Sequence, residues 1–263
     1  MKKIAIFGVP RSGTTWLGQI FNSSEHVAYR HQPLFSYSFL PSLSEKSDKE
    51  EIEKFHKDLL STDDPYVCHV KNLSGNKNPE FHKEEITHLV WKEVRYLETV
   101  ENLLATSEIK VVGIVRHPCG VIKSWIKAPN EFDENWDAME EWRYAPKKNI
   151  NKHHYYGYEK WVEVARLFLK LQKNFPRRFF VISYENLCGS TQSEIKKLFK
   201  FCDLPMSEQV CKFIKDSTSI FSDDPYGVYR KNKNINKWKE ELPNEIIEAI
   251  LNDKRFQSIK DKF

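Results

Sequence analysis

The eight residues GVPRSGTT, from Gly8 to Thr15, have nearly the spacing of a phosphate-binding loop. In that loop two glycines, with four residues between them, are followed by a lysine and then by serine or threonine. Here Gly8 and Gly13 are correctly spaced and Thr15 supplies the hydroxyl, but Thr14 stands where the lysine would be. Arg11 brings a positive charge three residues earlier. Because glycines allow close backbone approach and the amides of a helix start attract anions, the motif predicts an anion site.

A second pair of polar residues follows the apolar run KVVGIV, residues 110–115. Arg116 ends this run, and Ser124 comes eight residues later. If Pro118 opens a helix, Ser124 lies about two turns into it, and both groups can converge on one anion. Alone, this pair is weak evidence for a site. No aspartate ends KVVGIV to hold Mg²⁺, which together with the missing lysine argues against magnesium–triphosphate chemistry.

Apolar runs alternate with amphipathic segments along the chain, which predicts a parallel sheet with helices on both faces. We find no repeat and no linker, and therefore expect one α/β domain over residues 1–263, with a central parallel sheet flanked by helices and a P-loop-like start. Ligands of such sheets bind at the carboxyl ends of the strands, where both motifs lie. The predicted strands are 4–9, 26–30, 87–94, 110–115 and 178–184, and the predicted helices are 14–24, 49–60, 96–106, 117–127, 156–175, 191–202, 206–215 and 243–252.

The composition argues against several classes of protein. With 263 residues, of which 40% are hydrophobic and 30% charged, the chain can bury a sizeable core. The net charge of +4 comes without a dense basic stripe, so we expect no nucleic-acid partner. We expect no signal peptide and no integral membrane association, because the first apolar run breaks at Pro10 and no run reaches about 18 residues. Five cysteines without a Cys-x-x-Cys pair favour reduced thiols and a cytoplasmic location.

The stretches PRSGTTW and VVGIVRHPCGVIKS together resemble the sulfotransferases that use 3′-phosphoadenosine 5′-phosphosulfate (PAPS). In that family the first motif binds the 5′-phosphosulfate and the second binds the 3′-phosphate. Three further stretches, VWKEVR, VISYENL and YRKNKNINKWKEEL, are similar to a lysine-bearing third strand, a strand whose tyrosine lies near the adenine, and a basic loop that closes on the nucleotide. The resemblance implies that PAPS is bound by Arg11, Ser12, Gly13, Thr14, Thr15, Trp16, Arg116, Ser124, Tyr184, Arg230 and Lys231, and that Arg11 and Lys92 act in catalysis.

The activity implied is transfer of a sulfuryl group from PAPS to a hydroxyl of a carbohydrate or a small aromatic acceptor, with PAP, adenosine 3′,5′-bisphosphate, as the product. A sulfuryl group carries less charge than a terminal phosphoryl group, so we expect no metal requirement. Positive side chains, backbone amides and the two threonine hydroxyls would stabilise the departing phosphate oxygens.

Both bases that the resemblance implies for the acceptor hydroxyl are replaced. Gln32 stands where carbohydrate-modifying members carry a glutamate, and Val94 stands where small-molecule members carry a histidine. We take His31 as a tentative base and His69 as a weaker candidate. Glu93 is expected to point away from Lys92, since successive residues of a strand face opposite sides.

Two further expectations concern ring stacking and closure. Aromatic residues could stack on an acceptor ring, although core packing explains them equally well: Phe35, Tyr37, Phe39, Trp136, Trp142 and Tyr144. Residues 226–240 are expected to form a lid that orders on nucleotide binding, with Trp238 anchoring its far end.

Two alternative functions remain open. A P-loop kinase would turn over Mg-ATP, and the absent lysine opposes it. A non-catalytic nucleotide-binding module on the same fold would account for the missing bases. The sequence leaves the oligomeric state open.

Overall fold

Five parallel strands form the sheet at the centre of the protein, in the order β2-β3-β1-β4-β5. The computed structural model describes residues 1–39, 43–229 and 234–263. All five predicted strands are present, because strands buried on both faces are continuous apolar runs that stand out in the sequence. They are β1 (Lys2–Phe7), β2 (Val27–His31), β3 (His88–Glu93), β4 (Lys110–Val115) and β5 (Phe179–Ser183).

Helices connect the strands and cover both faces of the sheet. Every predicted helix is present, although its bounds shift by a few residues, and the segment 96–106 begins as a 3₁₀ turn, Leu97–Thr99. Four additional helices, α5, α7, α10 and α12, are four to six residues long, too short to show a helical period. The helices are α1 (Thr14–Asn22), α2 (Lys49–Ser61), α3 (Val100–Thr106), α4 (Pro118–Ile126), α5 (Ala138–Glu141), α6 (Gly157–Asn174), α7 (Tyr184–Gly189), α8 (Thr191–Cys202), α9 (Glu208–Ser219), α10 (Trp238–Glu241), α11 (Asn244–Leu251) and α12 (Lys254–Gln257).

Two hydrophobic clusters, one on each face of the sheet, form the core. Ile4 and Ile6 of β1 belong to one cluster, with side chains of α1, α8 and α9. Ala5 and Phe7 belong to the other, with side chains of α2, α3, α4 and α6. Alternate side chains of β1 are buried on opposite faces of the sheet. Packing on both faces therefore fixes the position and the direction of this strand.

Two predicted strand bounds differ in a way that affects the site. The first strand begins at Lys2, which pairs with His88, and ends at Phe7, so that Gly8 already belongs to the phosphate loop. Tyr184 was predicted to end the fifth strand, but it is the first residue of α7. No helix in the described parts of the chain is long and apolar enough to cross a membrane.

Candidate active site

The carboxyl ends of the five strands surround one cavity of about 380 Å³. Read across the sheet from β2 to β5, the strand ends carry His31, Lys92, the phosphate loop, Arg116 and Tyr184. Parallel strands place these ends on one edge, which is why residues far apart in the chain meet here. The predicted site residues that line the cavity are Arg11, Gly13, Thr14, Thr15, Trp16, His31, Lys92, Arg116, Ser124 and Tyr184.

Among the described site residues, Ser12 does not contribute its side chain to this wall. Ser12 is fully buried, and its hydroxyl donates a hydrogen bond to the Val9 carbonyl at 2.5 Å. Its contribution to a ligand is therefore limited to the backbone. Arg230 and Lys231 lie outside the described residues.

The phosphate loop needs its glycines for conformation and for space. Gly13 has φ +98°, a left-handed conformation, and a Cβ there would lie 2.5 Å from the Tyr184 ring. A Cβ on Gly8 would lie 2.8 Å from the Ile114 carbonyl oxygen. Helix α1 begins at Thr14, and no side chain caps this end. The first amides of α1 are therefore available to an anion in the cavity.

Arg11 links three segments around the loop. Its Nε donates to Ser124 Oγ at 3.2 Å, and one terminal nitrogen donates to the Pro225 carbonyl at 3.1 Å. The other forms an ion pair with Glu131 at 3.0 Å. Glu131 in turn accepts a hydrogen bond from the Tyr156 hydroxyl at 3.2 Å. This contact places the carboxylate of Glu131 in the cavity wall, a role that no sequence motif indicated.

Arg116 lies beside Arg11 on the other side of the loop. One terminal nitrogen of Arg116 donates to the Arg11 carbonyl at 3.0 Å, and the guanidinium lies 4.5 Å from the centre of the Tyr184 ring. Its buried Nε has no hydrogen-bond partner among the described residues. Ser124 lies two turns into α4, as predicted, and meets this cluster through Arg11.

Lys92 is a buried cation in the wall of the cavity, with only 1% of its surface exposed. The described residues give its ammonium no hydrogen-bond partner, and burial lowers the pKa of Lys92 to about 7. Glu93 points to the opposite face, as expected, and accepts hydrogen bonds from the Leu34, Val94 and Arg95 amides. Burial raises the pKa of Glu93 to about 7, and its amide donors oppose that shift. Lys92 therefore changes its charge easily near neutral pH.

His31 and His69 stack face to face in the cavity wall, with ring centres 3.7 Å apart. Burial is the first cause that lowers both pKa values, and the charge of Lys92 adds to it. The pKa of His69 falls to about 3, and that of His31 lies well below its usual range. Both rings are therefore neutral at pH 7.

A chain of hydrogen bonds fixes the tautomer of His69. The ammonium of Lys83 donates to Asn22 Oδ1 at 3.2 Å, so the Asn22 amide nitrogen must donate to Gln19 Oε1, at 3.0 Å. Gln19 Nε2 then donates to His69 Nδ1 at 2.8 Å. Because Nδ1 accepts, a neutral His69 carries its proton on Nε2, and that nitrogen is a donor rather than a base.

His31 has a different environment. Its Nε2 lies 2.9 Å from the Gln32 side-chain nitrogen, and its buried Nδ1 has no hydrogen-bond partner among the described residues. The Gln32 amide makes no other side-chain hydrogen bond in the parts of the chain described. Since Nδ1 is enclosed, Nε2 is the atom of His31 that can exchange a proton with a molecule in the cavity.

The aromatic residues considered for acceptor stacking lie in different environments. Phe35 lines the main cavity, and with Tyr37 it lines a second one of about 210 Å³. Phe39 and Trp142 are buried in the core, so for these two the expectation of acceptor stacking is wrong. Trp136 packs against the same core, and Tyr144 is exposed. Tyr66 and Tyr156, which were not among the candidates, line the cavity.

Comparison with known proteins gives a consistent result. The sequence pattern of the sulfotransferase domain matches residues 1–259. A mouse sulfotransferase solved in complex with PAP superposes with a TM-score of 0.54 at 13% identity, over 99% of this chain and 88% of that chain. Retinol dehydratase, solved with retinol and PAP, superposes with a TM-score of 0.54 at 14% identity, over 99% of this chain and 81% of that chain.

A curated relative, an uncharacterised protein of Aquifex aeolicus, is 22% identical over 99% of this chain. The chain spans 34% of the length of that relative. The family match covers nearly all residues and includes both anion-binding motifs, and the parallel sheet agrees with the solved structures. The chain therefore belongs to the sulfotransferase-domain family.

Proposed function

We propose that the protein transfers the sulfuryl group of PAPS to a hydroxyl of a carbohydrate or small aromatic acceptor. The observation that carries this is the composition of one cavity. A phosphate loop without lysine and a second arginine, Arg116, lie on one side, and two neutral histidines lie on the other. The buried ammonium of Lys92 lies at the end of the strand between them.

The residues present fit a nucleotide with two separate anionic ends. The uncapped amides of α1 and the hydroxyls of Thr14 and Thr15 would hold the 5′-phosphosulfate. Arg116, whose guanidinium lies over the Tyr184 ring in the cavity wall, and Ser124 would hold the 3′-phosphate. We place Trp16 and Tyr184 beside the base, and Arg230 and Lys231 over the nucleotide.

PAPS, when bound, supplies a sulfuryl group joined to a phosphate that leaves with negative charge. Lys92 would neutralise that charge, because its buried ammonium gains an anionic partner only when the nucleotide binds. Arg11, held at the loop by Ser124 and Glu131, would add positive charge at the same end of the cavity. No step requires a metal ion.

We propose His31 as the group that accepts the acceptor's proton. Its lowered pKa keeps the ring neutral at pH 7, and the Gln32 amide nitrogen donates to Nε2, so that Nε2 carries no proton. Rotation of the Gln32 amide would free that atom for a hydroxyl. His69 is less suitable, because its Nε2 already carries a proton. Glu131 is a second candidate, since it is the carboxylate in the described cavity wall.

The proposal is tested by measuring transfer from labelled PAPS to a panel of sugars and phenols, with EDTA present. We expect transfer by the wild-type protein, a loss of roughly a hundredfold or more in kcat for His31→Ala, and unchanged PAP affinity. Glu131→Gln tests the second candidate, and the exposed histidine variant His82→Ala serves as the control. PAP binding without transfer to any acceptor would contradict the proposal and favour the non-catalytic module.

A further inference from the structure

The cavity has a nucleotide half and a second half, and the strand order separates them. Arg116 and Tyr184 follow β4 and β5, on one side of β1. Arg95 follows β3 and lies on the other side, where its guanidinium carbon is 3.5 Å from the centre of the Phe35 ring, beyond the end of β2. A nucleotide held by the phosphate loop and Arg116 therefore leaves the half around Arg95 to the acceptor.

Two cations in this second half have no counter-ion among the described residues. Arg95 makes no side-chain hydrogen bond or ion pair there, and its buried Nε has no acceptor. Lys148 also has no ion pair in the described chain, and its Nζ lies 5.3 Å from the centre of the Tyr156 ring. Both residues line the cavity. Stacking on Phe35 and Tyr156 holds the two charges in place, and the terminal nitrogens of Arg95 and the ammonium of Lys148 make no hydrogen bond with the described residues.

The electrostatics show that the two cations are close enough to interact. Burial lowers the pKa of Lys148, Glu131 opposes that effect, and the charge of Arg95 lowers the pKa further. Glu131 is the single carboxylate among the described residues that line the cavity, and Arg11 and Tyr156 already occupy both of its oxygens. Two neighbouring cations without a protein partner are costly unless a ligand supplies the opposite charge.

We propose that the acceptor carries an anionic group in addition to its hydroxyl, and that Arg95 and Lys148 bind this group. The class of substrate is thus a hydroxylated carboxylate or phosphate, such as a sugar acid, a sugar phosphate or a phenolic acid. The inference takes the reaction, sulfuryl transfer to a hydroxyl, from the proposed function. The anion site itself is inferred from Arg95 and Lys148 alone. The forked donors of Arg95 suit either group.

The experiment measures binding to the PAP complex by calorimetry, so that it does not depend on turnover. The probes are matched pairs: 4-hydroxyphenylacetate with its amide, glucuronate with its amide, and glucose 6-phosphate with glucose. We expect at least one anionic member to bind roughly ten to a hundred times more tightly than its neutral partner. Which pair shows the preference distinguishes a carboxylate from a phosphate.

Variants then attribute the preference to the two side chains. Arg95→Gln and Lys148→Gln should each reduce it about tenfold while PAP affinity stays unchanged. Lys147→Gln is the matched control, because Lys147 is exposed beside Lys148 and pairs with Glu140 outside the cavity. Thermal unfolding checks that each variant folds.

Two results would overturn the anion site. One is that no charged probe binds better than its neutral partner, and the other is a preference that survives in both variants. The proposed sulfotransferase activity is tested separately. It would be contradicted if an anionic probe bound more tightly than its neutral partner but received no sulfuryl group from PAPS.

Discussion

Lys92 combines nearly complete burial with a proposed function that needs its charge. The ammonium lies among neutral histidines, and burial holds its pKa at about 7. An unpaired charge in this position destabilises the folded chain, so the side chain loses its proton readily while the cavity holds no anion. A bound sulfate or phosphate reverses the balance because it favours the charged form.

Binding of PAP should therefore be coupled to proton uptake by Lys92. At pH 8, above its lowered pKa, Lys92 is mostly neutral, and the anion raises the pKa so that a proton is taken up. Calorimetry in buffers of different ionisation enthalpy should show an uptake of up to about one proton at pH 8 that diminishes below pH 6. Lys92→Met should abolish the uptake, which separates it from titration of the phosphates. Equal uptake in this variant would show that Lys92 is not the group involved.

The sequence predicted those residues of the cavity wall that lie in a local motif. Arg11, Thr15, Arg116 and Ser124 were found because a strand–loop–helix unit places them at fixed spacing. Glu131 could not be found in this way, because it lies in a segment without periodicity and reaches the loop only through the folded chain.

The tautomer of His69 illustrates the same limit. It depends on Lys83, Asn22 and Gln19, which come from two separate segments and meet only by packing. From the sequence, His69 was a weaker candidate for the base. The chain of hydrogen bonds shows that its Nε2 is a donor.

The sequence predicted those helices and strands that are long enough to show a periodic pattern of apolar residues. Helices of seven or more residues and all five strands carry enough apolar repeats to be recognised, whereas α5 and α12, of four residues each, do not. The order of the strands has no local signal, because it depends on which crossovers pack together. That order places Lys92 and Arg116 on opposite sides of the phosphate loop.

The segment 226–240 touches both anion motifs, and its closure stays a prediction. Tyr226 lies under the Arg11 guanidinium at 5.2 Å, and Trp238 stacks on His117, beside Arg116, with ring centres 4.6 Å apart. Trp238 is buried, which agrees with its expected role as an anchor. Basic side chains between these two contacts would gain charge-assisted hydrogen bonds to a nucleotide phosphate.

We therefore expect hydrogen exchange across residues 226–240 to slow when PAP is added. Ordering the segment costs conformational entropy, which the phosphate contacts would offset. Helix α2, none of whose residues lines the cavity, should show no change and serves as the internal control. The lid would be ruled out if exchange in 226–240 stayed the same at saturating PAP while Arg116→Ala still weakened PAP binding.

In the whole molecule, the nucleotide and the acceptor that we propose would lie on opposite sides of β1, at the carboxyl edge of the sheet. β1 is central, so that its loop can reach both halves, and the two hydrophobic clusters hold the edge rigid from either face. This arrangement lets residues beyond β2 and β3 change the acceptor without disturbing the residues beyond β4 and β5. Gln32 and Val94, which replace the bases that the family resemblance implies, lie in the half that we assign to the acceptor.

Ligand-induced stabilisation of the whole chain tests the choice of nucleotide and separates the proposed function from a kinase. A ligand at a hundredfold excess over its Kd stabilises the folded state by about 2.7 kcal/mol, which for a chain of this size raises Tm by roughly 5–10 °C. We expect that shift with PAP, equally with Mg²⁺ or EDTA, because the loop has no lysine at Thr14 and the bound nucleotide needs no metal.

ATP at the same concentration should shift Tm much less, since it lacks the 3′-phosphate that we place at Arg116. Arg116→Ala should lower the affinity for PAP roughly ten- to a hundredfold, which removes between about half and most of the PAP shift. Arg177→Ala, which changes an exposed arginine outside the cavity, should leave the shift intact. A larger shift with Mg-ATP than with PAP, persisting in Arg116→Ala, would instead favour a P-loop kinase and contradict the position of the 3′-phosphate.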